Sequence, residues 1–460
     1  MLDAALLKGA LQVPMALGAL EEFTDVTTDS RAIVPGCLFV ALKGERFDGH
    51  RFVAQALQEG ARAAVVSEVP EGVPADRCIQ VDDTLEAYQK IASCWRLKQK
   101  GLTVIAITGS NGKTSTKDCI AAVLGEKYRV IKTQANFNNE IGLPKTLLTI
   151  REDTEMAVVE MGMRGLGQIR AMKHIAFPDA AVITNVGDTH LELLGSLENI
   201  AKAKSEILED FTTKNHAFLN GDDPRVSVME TGATVHTYGI DSDADVKAVE
   251  IAADGLATRF VYRSRITGNT QAVKLPLLGR HNVMNALAAV AVGEVYGVPD
   301  EAIAQGLENL KMTGMRQEIL HFGPVTVIND AYNASPASME AALKTLGDVV
   351  KDQGKGRAIA VLADMLELGA HSRSGHTQVG EWCGKYGVDA LICYGPESRY
   401  TVEAAEKAGV PVHYVENKEA AAPVLERLVR PDDVVLLKGS HGMEVYSLID
   451  TVFRKGAKTC

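Results

Sequence analysis

The 460 residues carry 46% hydrophobic and 23% charged side chains, the balance of an ordinary globular chain rather than a disordered or fibrous one. At ~150 residues per domain, the length allows about three domains. A formal charge of −11, with no lysine–arginine block and 5% aromatic residues, excludes the basic stripe of a nucleic-acid binder, so any anion must be met by glycine loops, helix N-termini and single cations.

At the N-terminus, MLDAALLKGALQVPMALGALEEF has Asp3 early and no basic leading stretch, so it does not read as a signal peptide. No run along the chain approaches the ~20 apolar residues of a membrane span. The seven cysteines lie far apart with no C-x-x-C pair, which fits neither a disulfide framework nor a zinc site. These features predict a cytoplasmic protein with reduced thiols. A monomer is the default, since nothing in the sequence points to an interface.

Apolar β-branched runs alternate with turns and helical stretches, which predicts parallel sheets with helical crossovers. The first domain, 1–98, contains strands at 37–42 and 61–67, a helix near 50–60 and a helix at 84–100 leading onward. The second, 99–313, opens with the continuous apolar strand LTVIAIT (102–108), continues through MAVVEMG (156–162) and AAVITNVG (180–187), and ends near a helix at 282–296. Uninterrupted apolar runs of this kind mark strands buried on both faces. The third, 314–460, holds strands at 325–330, 357–364, 389–395, 410–415 and 432–439, each followed by a predicted helix. That pattern is a doubly wound, Rossmann-like sheet, yet the dinucleotide fingerprint G-x-G-x-x-G is missing, which argues against an NAD enzyme.

The most informative stretch is ITGSNGKTSTKDCIAAVL (107–124). A buried strand runs into Gly109-Ser110-Asn111-Gly112-Lys113-Thr114-Ser115, and a helix begins there. Glycines let backbone N–H groups turn toward a phosphate, and the helix N-terminus adds partial positive charge. Lys113 can reach β- and γ-phosphates, and Thr114 can ligate Mg²⁺. The general pattern G-x-x-x-x-G-K-[ST] would require glycine at position 107, where this chain has Ile107. The strand–loop–helix context nonetheless predicts a nucleoside triphosphate site.

The variant G-S-N-G-K-T-S-T-K resembles the phosphate loop of the Mur ligases and their folylpolyglutamate synthetase relatives. The resemblance continues in order along the chain and implies three domains: a small α/β UDP-binding domain, a central phosphate-loop ATPase domain with a parallel sheet, and a C-terminal Rossmann-like domain. It implies ATP, two Mg²⁺ ions and a carbamylated lysine. Glu160, at a strand end, would be a metal ligand, although an acidic residue there can equally cap a helix. TNVGDTHLELLGS resembles the segment whose histidine, here His190, helps bind Mg²⁺; Asn185 and Glu192 accompany it. Lys204 rather than Lys202 aligns by spacing with the carbamylated lysine, and it can equally be read as one of several solvated lysines. Lys113, His190 and Lys204 would thus be the catalytic set.

GRHNVMNALAAV (279–290) resembles the adenine-site segment, with His281, Asn282 and Asn285 as candidates, while its apolar spacing also fits a plain packed helix. Arg316 and Asp330 would approach the triphosphate and ribose from the third domain, which implies domain closure. TDSRAIVPGCLFVALKGERFDGHRFVAQALQEGA (28–61) resembles the UDP-binding domain and puts Ser30, Arg31, Lys43, Gly44, Asp48, Gly49 and His50 near uridine and diphosphate. Singly, each of these can be a surface-turn residue.

Three segments point to the D-alanyl-D-alanine-adding subtype. NFNNEIGLPKTLL offers Asn138, Asn139 and Glu140, which can also simply shape a loop. DAYNASPASM offers Tyr332, Asn333 and Ser335. VLADMLELG, with His376 further on, offers Asp364, Glu367 and Leu368 to receive the dipeptide. LLKGSHGM departs from the family at His441, where arginine is frequent, and this leaves the role of that position open. The implied partners are UDP-N-acetylmuramoyl-tripeptide and D-alanyl-D-alanine. Another ligase of the family, or a nucleotide-dependent switch without an acceptor, would share much of the nucleotide site.

Overall fold

The structure is a computed structural model that describes residues 2–14, 22–44, 47–187, 189 and 191–454. In the first unit, four parallel strands (Val26–Thr27, Leu38–Val40, Ala63–Val66 and Cys78–Gln80) form one sheet. Alternation sorts their side chains: Phe39, Ala64 and Val66 pack under the Val53–Gln58 helix, while Leu38, Val40, Ala63 and Val65 face the Thr84–Lys98 helix. Asp83 caps that second helix by accepting from the Leu85 and Glu86 amides.

The Thr84–Lys98 helix also joins the first unit to the second. Trp95 Nε1 donates to the Ile150 carbonyl at 3.1 Å, and Arg96 reaches the Ala176 and Phe177 carbonyls and the Asp179 carboxylate, the last at 2.8 Å. One continuous apolar core contains Val65, Tyr88, Ile91 and Trp95 together with Val104, Leu147, Val159 and Ile183.

The second unit is built on a nine-stranded sheet. From Val130–Lys132 it runs through Met156–Glu160, Thr103–Thr108, Ala180–Ile183, His216–Asn220 and Thr234–Gly239 to Val246–Asp254, all parallel. The last two strands, Ala257–Ser264 and Thr270–Leu275, continue it as an antiparallel meander. The expected parallel sheet is thus present and is extended at one edge by an antiparallel pair. Phe260, Tyr262, Val273 and Leu275 alternate with exposed polar residues, so one face packs and the other meets solvent.

The third unit has six strands: Glu318–Phe322 antiparallel to Val325–Asn329, then Val434–Lys438, Ala358–Ala363, Ala390–Tyr394 and Val412–Val415 in parallel. Helices Pro336–Gln353 and Ser372–Lys385 cover one face, and Lys418–Leu428 covers the other. The last strand is followed by short 3₁₀ turns and one π turn, not by the α-helix expected there. Among the described residues, no helix is long and apolar enough to cross a membrane, and all six described cysteines are unpaired.

Candidate active site

Carboxyl ends of parallel strands collect ligands in open α/β sheets. Here the ends of Thr103–Thr108, Met156–Glu160 and Ala180–Ile183 face those of Val325–Asn329 and Val434–Lys438 across a cleft of about 1390 Å³.

Ser110 through Ser115 form the cleft floor. Gly112 has φ +80°, which favours glycine, and a Cβ there would lie 2.7 Å from Asn285 Oδ1; at Gly109 it would overlap the Thr184 hydroxyl. The loop is fastened to the neighbouring strand end. The Asn111 amide donates to Asn185 Oδ1 at 2.9 Å, Thr184 Oγ1 donates to the Asn111 carbonyl at 2.6 Å, and Ser110 and Gly187 exchange two bonds. The Lys113 ammonium donates to the Gly109 and Ser110 carbonyls at 2.9 and 3.2 Å. Its pKa is lowered by desolvation; Glu160 opposes the shift and Arg316 adds to it.

Thr114 Oγ1 donates to one Glu160 oxygen at 2.7 Å, and Asn138 Nδ2 donates to the other at 2.8 Å. A hydroxyl and a buried carboxylate side by side at a phosphate loop form the hard-oxygen pair that Mg²⁺ takes. Lys204 is 2% exposed. Desolvation, reinforced by Lys113, holds its pKa well below the ordinary value. The solvated reading of this lysine is thereby overturned. His190 lies outside the described residues.

Asn282 and Asn285 are buried and turned inward. Asn282 Nδ2 donates to the Leu278 carbonyl and to Gln317 Oε1, and Asn285 Oδ1 accepts from Thr116 Oγ1 at 3.0 Å. Asn285 thus lashes the Arg280–Val295 helix to the phosphate-loop helix while Asn282 ties it to Gln317, and His281, 3.1 Å from Gln317 Nε2, remains open to the cleft.

From the third unit, the Arg316 guanidinium lies 3.5 Å above the Tyr332 ring, and its buried Nη1 has no partner among the described residues. Tyr332 packs on His441, which stacks on Tyr446. Asp330 Oδ2 accepts from Lys438 Nζ at 2.5 Å, and the same ammonium reaches the Asn333 carbonyl at 3.1 Å. Ser335 caps the Pro336–Gln353 helix and donates to Asn111 Oδ1 at 3.3 Å, linking the two sides. Lys438, Gln317 and Arg280 also line the cleft and carry no assignment from the sequence; a polar residue ending an apolar strand was the available signal for Lys438.

Of the acceptor candidates, Glu140, Glu367 and Leu368 line the cleft, and Arg164 faces Glu367 across it at 3.8 Å. Asn139 also borders it, but its oxygen is occupied by the Ile141 and Gly142 amides. Asp364 is a correction. Its carboxylate is buried, accepts from the Ser398 amide and hydroxyl at 2.7 Å and from the Glu397 amide, and anchors a helix start instead of facing the cleft. His376 is likewise internal, bonded to the Met365 amide and the Ser372 carbonyl.

The first-unit candidates stand apart from this cleft. His50 is a second correction: its ring is buried between Asp48 Oδ1 at 2.7 Å and the Ser67 amide at 2.9 Å, leaving no ring nitrogen for a ligand. Asp48 also caps the Gly49–Phe52 turn, and Lys43 pairs with Asp48 through the backbone next to Gly44. Ser30 lies beside Arg31, whose exposed guanidinium is held bidentately by Asp29.

Comparison with known proteins agrees with this geometry. Residues 22–96 match the Mur ligase family catalytic domain, 107–293 the Mur ligase middle domain, and 315–441 the Mur ligase glutamate ligase domain. UDP-N-acetylmuramoyl-tripeptide--D-alanyl-D-alanine ligase of Bacillus subtilis is 42% identical over 430 residues, 92% of each chain. The Escherichia coli enzyme of that name is 36% identical over 99% of this chain and 98% of its own. A crystal structure of MurF from Acinetobacter baumannii superposes with a TM-score of 0.88 at 31% identity, covering 98% of this chain and 99% of that one. MurF ligase from Thermotoga maritima in complex with ADP gives 0.82 at 28% identity, covering 95% and 98%. With the phosphate loop, the two-sided cleft and these whole-length matches in agreement, the chain belongs to the Mur ligase family.

Proposed function

We propose that this protein is an ATP-dependent ligase that joins D-alanyl-D-alanine to UDP-N-acetylmuramoyl-tripeptide, giving the UDP-pentapeptide used for peptidoglycan. The observation that carries this reading is the whole-length similarity to D-alanyl-D-alanine-adding ligases, on a cleft that brings a phosphate loop and an acceptor-side loop face to face. The nucleotide-linked substrate and ATP place the reaction in the cytoplasm.

A carboxylate is a poor electrophile, and its charge repels an incoming nucleophile. Transfer of the γ-phosphoryl group from ATP to the tripeptide carboxylate gives ADP and an acyl phosphate. The dipeptide amine then attacks the carbonyl carbon; the C–N bond forms, the C–O bond to phosphate breaks, and one proton leaves nitrogen. Lys113 and the loop amides orient the triphosphate, while Arg316, fixed by its stack on Tyr332, meets charge from the other side. Mg²⁺ bound at Thr114 and Glu160 would offset charge on the transferring oxygens. Lys204 fits the role of a carbamylated second-metal ligand, because burial disfavours its charged form and the neutral amine is the form that adds CO₂. Ser30, Arg31, Lys43 and Gly44 are proposed to meet the UDP moiety, and Glu140, Glu367 and Leu368 the dipeptide.

The test is phosphate release from Mg-ATP with UDP-N-acetylmuramoyl-tripeptide, with and without D-alanyl-D-alanine. Release requiring both, with a UDP-pentapeptide product, is expected. Release indifferent to the dipeptide would overturn the assignment.

A further inference from the structure

The chain crosses from the second unit to the third once, between the Asp300–Glu308 helix and the Glu318–Phe322 strand. The crossing is fastened at Thr313 on one side and at Met315 and Gln317 on the other. On one side, Thr313 is tied to the phosphate-loop helix: its amide donates to Asp118 Oδ2 at 2.7 Å and its hydroxyl donates to Asp118 Oδ1 at 3.0 Å. Lys117, the neighbouring residue, gives its ammonium to Thr313 Oγ1 at 3.3 Å and to the Thr133 carbonyl at 2.8 Å. Both side chains of this Lys117–Asp118 pair are 0% exposed, and Lys132 Nζ adds a further bond to Asp118 at 2.6 Å. On the other side, the Met315 carbonyl accepts from the Tyr332 amide at 3.1 Å, and the Gln317 amide donates to Asp330 Oδ1 at 3.2 Å.

Between the anchors stands Gly314, where an added methyl group would meet no atom within 4 Å. Met315 and Gln317, on either side of Arg316, both have positive φ, at +61° and +48°. Such strain in residues other than glycine persists only where the surroundings impose it. The same Lys117 holds Thr133, whose hydroxyl accepts the Glu160 amide at 3.0 Å.

We infer that Lys117 and Asp118 are positioning residues that lock Thr313 to the phosphate-loop helix, making Gly314 the pivot that delivers Arg316 over the triphosphate. A buried ionic cluster is a costly way to hold a connection if stability alone is at stake, and its directional bonds suit a fixed axis. The inference rests on the ligase reading for its kinetic test and on the hydrogen bonds alone for its exchange test.

Thr313→Val removes the hydroxyl and keeps the shape. It is expected to lower kcat about tenfold, the scale of a charge-assisted hydrogen bond, with KM for ATP and ADP affinity by calorimetry within about twofold. Thr313→Ser, which keeps the hydroxyl, should restore most of the rate. An unchanged kcat in Thr313→Val, a parallel loss of ADP affinity, or a serine variant as slow as the valine one would overturn the assignment. Hydrogen exchange on the wild-type chain gives a readout independent of activity. The Thr313 amide should exchange about 100-fold more slowly than that of Gly314. Equal rates would overturn the pivot, whereas dipeptide-independent phosphate release would overturn only the ligase reading.

Discussion

Lys113 and Lys204 show how burial gives one residue type two uses. Lys113 is held in the cleft floor by two carbonyls of its own loop, ready to exchange them for phosphate oxygens. Lys113→Ala is expected to lower turnover by about 10³-fold with an unchanged circular dichroism spectrum, as for loss of a positioned cation at developing charge. Lys204 is buried with its pKa well below the usual 10.5. In buffer stripped of CO₂ the unfolded chain binds a proton at this site more readily than the folded chain, so stability rises with pH up to the unfolded value. Lys204→Met should therefore melt higher than wild type at pH 7 in that buffer, with the gain shrinking toward pH 10; a gain that grows with pH would contradict the depressed pKa. Lys204→Ala, which leaves room for an added ligand, should be inactive with partial rescue by a short carboxylic acid, and full activity without additive would exclude the carbamate role. Residue types such as Lys113 and Glu160 were legible because their chemistry is tied to a loop or a strand end. Asp364 and His50 were misread because sequence does not show that a polar side chain is already spent on neighbouring amides.

Among elements, the Pro336–Gln353 helix is written most plainly in the sequence. Ser335 accepts from the Ser338 amide, Ser338 answers through its own side chain, and Pro336 occupies the first turn, where its missing N–H costs nothing. Ser335→Ala should cost about 1 kcal/mol, read as a lower denaturation midpoint with unchanged slope. It should also weaken the closed cleft, since the same hydroxyl reaches Asn111. The buried parallel strands were equally visible as unbroken apolar runs. The Val246–Leu275 meander was not, because its half-exposed strands alternate weakly and no helix separates them. The Arg280–Val295 helix is apolar on nearly every side, and that composition hid the inward turn of Asn282 and Asn285.

For the whole molecule, the cleft depends on two units meeting, and the polar contacts across it include Ser335 to Asn111, Gln317 to Asn282 and His281, and Arg164 to Glu367. Side-chain bridges of this kind can break and re-form, so a closing equilibrium that ligands shift is expected. Small-angle scattering should show a smaller radius of gyration with Mg-ADP, tripeptide substrate and dipeptide present; superimposable curves would count against closure. The presence of three units was legible from length and the order of motifs, whereas their mutual placement required the packing of Leu278 into the third core and of Trp95 into the second.

The first joint behaves differently from the second. Trp95 and Arg96 seat the Thr84–Lys98 helix in a core shared by both units, so that joint has no freedom to swing. With uridine bound by the first unit as proposed above, the span from it to the phosphate loop would be fixed by this joint. A muramoyl peptide one residue shorter is then expected to react more slowly than the tripeptide, and equal kcat/KM for the two would count against a fixed span.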